Sequence, residues 1–63
     1  MTKQEKENLI DYYKELTRYG KILYTKHFTF ASGYACVKII KFKQCLHVVD
    51  MLNGEVTNIT ILF

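Results

Sequence analysis

The hydrophobic period of this chain changes once, at Gly20, and that change limits what it can fold into. Before Gly20, the residues Leu9, Tyr12, Tyr13, Leu16 and Tyr19 recur at spacings of three and four, which places them on one stripe of a helix. After Gly20 the period falls to two, in segments rich in β-branched and aromatic residues and separated by turn residues. A chain with one helix followed only by strands must build a sheet and lay the helix on it. One helix covers one face of a sheet and leaves the other to something else.

The helix is expected over residues 2–19. Thr2 and Glu5 form a T-x-x-E capping box, in which each side chain satisfies an unpaired backbone donor of the first turn. Gly20 stands where a left-handed C-terminal cap is wanted. Glu5, Glu7, Asp11 and Glu15 are expected to pair with lysines and with Arg18 at helical spacing, as a solvated face. Four strands follow, over about 21–30, 34–42, 45–52 and 55–62. Ala31-Ser32-Gly33 reads as a three-residue turn and Lys43-Gln44 as a two-residue turn. Asn53-Gly54 is the clearest hairpin signal, because a type I′ turn needs positive φ at both positions. The expectation is an α+β fold: one N-terminal helix packed on a four-stranded antiparallel meander, as a single αββββ domain over 1–63.

Turn length fixes register, and register decides which face a side chain occupies. The turns as read set Phe30 opposite Tyr34, Phe42 opposite Cys45 and Leu52 opposite Glu55. One face then carries Leu23, Ala35, Val37, Ile39, Leu46, Val48, Leu52, Ile59 and Ile61, an aliphatic set expected to pack against the helix. The other carries Tyr24, Lys26, Phe28, Phe30, Tyr34, Lys38 and Phe42 together with Cys36, Ile40, Cys45, His47 and Val49. This aromatic and basic face does not alternate to polar residues as a solvated antiparallel face should, so it is the expected binding surface. A slip of one residue in the first hairpin would exchange the faces of β-residues 21–30.

The net charge of +3 is unevenly spread. Residues 1–20 hold four basic and four acidic residues, whereas Lys21, Lys26, Lys38, Lys41 and Lys43 face no acid between 21 and 43. Lysines interleaved with Tyr24, Phe28, Phe30, Tyr34 and Phe42 suit an anionic or single-stranded nucleic-acid partner as well as an acidic protein. In the register above, Lys26 lies opposite Lys38, a repulsive pair unless an anion or open solvent meets it.

No constellation for chemistry emerges. Cys36 and Cys45 are spaced C-x8-C, without the C-x2-C knuckle of a zinc site, and are expected as structural thiols. Cys45 and His47 share a strand face but have no orienting third group beside them. His27 and His47 read as ordinary sheet histidines, and Asp50 is placed to meet Thr57. No catalytic, cofactor or metal residue is therefore expected. Two cysteines in so short a chain fit a reducing cytosol rather than a disulfide scaffold. No stretch approaches the roughly 20 apolar residues of a membrane span. With its own start methionine and a charged opening segment, the chain reads as a complete cytoplasmic protein.

In length and layout the whole chain resembles the small accessory proteins of phages and mobile elements, including anti-CRISPR inhibitors. That resemblance implies stoichiometric blockade of a host nuclease or regulator by surface contact, without catalysis. It rests on size and style, so no functional residue is carried over from it. Three expectations follow for the partner: a protein anchored on Tyr24, Phe28, Phe30 and Tyr34, a single-stranded nucleic acid on the same face, or a second copy in a homodimer.

Overall fold

A computed structural model describes residues 2–63. The start methionine, Met1, lies outside them. Helix α1 (Lys3–Tyr19) leads directly into β1 (Lys21–Phe30), β2 (Gly33–Phe42), β3 (Cys45–Leu52) and β4 (Glu55–Leu62). The strands form one antiparallel sheet in the order β1-β2-β3-β4, with α1 against one face. The α+β meander expected from the change of period is the fold observed.

Thr2 supplies its half of the expected box: its Oγ1 accepts a hydrogen bond from the Glu5 N–H at 3.1 Å. Gly20 does not adopt the left-handed cap. Its φ of −86° and ψ of 172° are extended, and its N–H donates to the Leu16 carbonyl at 2.9 Å. Glycine is needed there for space instead. A Cβ would lie 2.6 Å from Ile40 Cγ2 and 2.6 Å from the Leu16 carbonyl oxygen. The backbone thus drops against β2 within one residue of leaving the helix. The acids of α1 do not pair along the helix; the side-chain ion pair among the described residues joins Lys6 to Glu55 at 3.7 Å.

The second and third turns hold the expected register, with Phe42 opposite Cys45 and Leu52 opposite Glu55. The first does not. Phe30 pairs with Gly33, so the turn is Ala31-Ser32 alone and Gly33, at φ +150°, opens β2. The reason lies in the neighbouring hairpin. Asn53 accepts the Tyr34 N–H on its Oδ1 at 3.0 Å and donates its own N–H to the Tyr34 carbonyl at 2.8 Å. The Asn53 side chain occupies the space a Cβ on Gly33 would need. Two bulges add further shifts: Leu23 is an extra residue in β1 and Thr57 an extra residue in β4. Thr57 Oγ1 donates to the Asp50 carbonyl at 3.1 Å, so the two residues meet through backbone rather than through the carboxylate.

The core is small. Leu16, Ile40, Val49 and Val56 are buried together, with Leu9, Tyr12, Tyr13, Phe42, Met51 and Ile59 packed partly against them. Tyr19, expected on the same stripe, is instead 66% exposed, with the Arg18 guanidinium 5.4 Å from its ring centre. The helix therefore covers the face that carries Ile40, Phe42, His47 and Val49, which is the opposite of the expectation that it would cover Val37, Ile39 and Val48. The tyrosines explain the choice. A tyrosine hydroxyl drawn into a helix–sheet interface needs a polar partner. Tyr12 finds His47 Nε2 at 2.8 Å and Tyr13 receives a hydrogen bond from Lys38 Nζ at 3.0 Å. Val37, Ile39 and Val48 on the other face offer neither.

Candidate interaction face

Alternation along β2 and β3 sends every second side chain away from α1. Ala35, Val37, Ile39 and Lys41 leave β2 on that side, and Leu46, Val48, Asp50 and Leu52 leave β3. Pairing with Gly33, Ala35, Val37 and Ile39 places Phe30, Phe28, Lys26 and Tyr24 on the same side. The bulge at Thr57 turns Ile59 toward the core and leaves Asn58, Thr60 and Leu62 facing out. The open face is thus aliphatic at its centre, aromatic along β1 and polar along β4. Leu46, Phe28, Leu52, Phe30, Leu62 and Tyr24 stand 38%, 42%, 43%, 47%, 47% and 51% exposed, values that belong to a surface with no layer over it.

The seven residues read as the binding surface divide between the two faces. Tyr24, Lys26, Phe28 and Phe30 lie on the open face, with the Lys26 ammonium 5.1 Å from the Phe28 ring centre. Tyr34, Lys38 and Phe42 lie on the helix side. Tyr34 is exposed beside the Asn53-Gly54 turn. Phe42 packs edge-on against Tyr12, at 6.5 Å and 79°, and against His47, at 5.9 Å and 63°. Lys38 is held by Tyr13, whose hydroxyl accepts its hydrogen bond and raises its pKa above the ordinary 10.5. Lys26 faces Val37 rather than Lys38, so the repulsive pair expected there is absent. A like-charge pair does occur, but at the end of the sheet, between Lys21 and Lys41.

Val37, Ile39, Leu46, Val48 and Leu52 belong to the open face, against the expectation that they form the core. Their burial could be decided only by asking which face offers partners to Tyr12 and Tyr13. Polar groups on the helix side are engaged in packing. His47 is 2% exposed, bonded through Nε2 to Tyr12, with Nδ1 buried and without a partner. Cys36 is buried and Cys45 half-buried, both as free thiols. Among the described residues no three metal-ligating side chains come together, and no helix is long and apolar enough to cross a membrane. Compared with protein-family models, with curated proteins and with solved structures, the chain matches none.

Proposed function

We propose that this chain is a non-catalytic protein-binding module that acts by surface contact through its open sheet face, in the manner of a phage-type inhibitor of a host defence nuclease, in the cytoplasm. One observation carries the reading: an apolar sheet face, anchored by Tyr24, Phe28 and Phe30, that its own helix does not cover. Exposed apolar surface of this extent is unfavourable in water, and a partner that buries it gains the hydrophobic contribution at each anchor. Aromatic anchors are the side chains that most often dominate such contacts.

The same face suits a nucleic acid less well. Its centre is aliphatic, where stacking needs rings, and Lys38 is turned to the other side and bonded to Tyr13. The lysines on the open face of β1 and β2 are Lys26 alone near the middle and the Lys21–Lys41 pair at one end of the sheet, too few to follow a phosphate backbone across it. A single-stranded oligonucleotide at low salt should therefore give no mobility shift at micromolar protein.

The test is affinity capture from a bacterial host carrying a defence nuclease, using wild type, Phe28→Ala with Tyr24→Ala, and Tyr34→Ala. The reading predicts a nuclease or nuclease-associated protein retained by wild type and by Tyr34→Ala and lost with the open-face pair. The same proteins retained by all three would overturn it.

A further inference from the structure

The open face presents apolar side chains that its own helix does not cover, and its dimensions and charges bear on what could cover it. We propose that its resting occupant is a second copy of this chain, packed face to face in an α/β/β/α sandwich, and that a target protein competes with that copy for the face. This deepens the reading above and rests on it.

Three observations support the choice of a second copy. The first is area. A folded monomer of 7.5 kDa exposes about 4,250 Å², and this chain exposes 4729 Å². Four strands at about 4.8 Å spacing and about 3.3 Å per residue present a projected face of roughly 500–600 Å², and corrugation by side chains raises the accessible area further. A standard interface takes about 800 Å² from each partner. The face alone is thus close to what a modest dimer needs.

The second is shape. The molecule is a slab of 37 × 28 × 19 Å. Doubling it along its short axis buries the broad face and leaves both helices outside. Two sheets packed this way lie about 10 Å apart, with strands nearly aligned.

The third is charge, which selects the arrangement. Lys26, Val37, Asp50 and Asn58 form one row across the sheet. A two-fold axis perpendicular to the strands would set Lys26 over its own copy. A two-fold axis along the strands instead sets β1 over β4 and β2 over β3. Lys26 then reaches over Asn58 of the second copy, beside that copy's Asp50, and the contact recurs by symmetry. Under the same axis Ile39 meets Val48, and Leu52 meets the small Ala35. Within one chain Lys26 and Asp50 are separated by the β2 strand and form no ion pair.

Sedimentation equilibrium and native mass spectrometry on the full chain test this. The wild type is expected to dimerise with a dissociation constant in the micromolar range. Val48→Lys places a charge at the centre of the interface and should weaken the dimer by at least about a hundredfold, with far-UV circular dichroism confirming the fold. Because that variant could fail to fold, a charge-exchange series serves beside it. Lys26→Glu and Asp50→Lys should each weaken the dimer by roughly threefold to tenfold, and the double exchange should restore it. A wild type that stays monomeric at 200 μM, on the order of a hundred times the expected constant, would overturn the self-association while leaving the open face as a target surface. A dimer indifferent to Val48→Lys and to the charge exchange would overturn the proposal as well, because its interface would lie elsewhere, and it too would leave the open face as a target surface.

Discussion

Gly20 and Gly33 are both required, for different reasons. At Gly20 the backbone is ordinary extended chain, and the obstacle is the nearness of Ile40 and of the Leu16 carbonyl. Alanine there forces the helix away from β2. The expected cost is about 2–3 kcal/mol, of the size seen for overpacking in a core, measured as a shift in the urea midpoint. At Gly33 the φ of +150° is itself strained for any residue with a side chain. Gln44 is the converse. Lys43 and Gln44 hold positive φ of 51° and 64° without glycine, and a left-handed non-glycine residue costs about 1–2 kcal/mol. Gln44→Gly should therefore stabilise the fold by about 0.5–1 kcal/mol after the entropy of the unfolded chain is counted, seen as a rise in Tm of about 3–6 °C. Lys38 adds a dependence on pH. Its pKa is raised in the folded state by the Tyr13 hydroxyl. That contribution to stability is fully present below the unfolded lysine value and is lost as pH rises through the folded one. Chemical denaturation of wild type and Lys38→Met should show a constant gap in stability up to about pH 10 that narrows above it; a gap that widens with alkali would contradict the assignment.

At the scale of elements, the order and type of every segment could be read from periodicity, and two of three turn registers from turn chemistry. What the sequence did not reveal was the effect of one element on another. Phe30 pairs with Gly33 because Asn53, in a different hairpin, bonds the backbone of Tyr34. The bulges at Leu23 and Thr57 leave no mark in composition, yet the second sends Ile59 to the core. The interlock of Asn53 with Tyr34 gives its own test. Asn53→Asp keeps the acceptor for the Tyr34 N–H, whereas Asn53→Ala removes it, so the alanine variant should be less stable by about 1 kcal/mol and the aspartate variant nearer to wild type. Hydrogen exchange at the Tyr34 amide should accelerate in the alanine variant alone.

For the whole molecule, the sequence indicated that one helix leaves one sheet face open, and the structure reverses which face it is. Slipping the first hairpin by one residue kept Tyr24, Phe28 and Phe30 outside while the aliphatic centre joined them. Half of the candidate surface was legible because β1 is an edge strand, and of the two edges the helix packs more on β4 than on β1. The remainder, around Val37 and Val48, was not, because an aliphatic stripe suits a core and a binding face equally. The preference of Tyr12 for His47 and of Tyr13 for Lys38 decides between them, and that preference acts between residues far apart in the chain.

Hydroxyl-radical footprinting read by mass spectrometry tests the central claim most directly, over a dilution series of the native chain with and without a captured partner. The account predicts that Tyr24 and Phe28 are oxidised readily in dilute protein and protected at high concentration or by the partner, while Tyr34 stays reactive and Phe42 stays shielded throughout. Tyr24 and Phe28 protected at every dilution, with Phe42 reactive, would place the helix on the other face and contradict it.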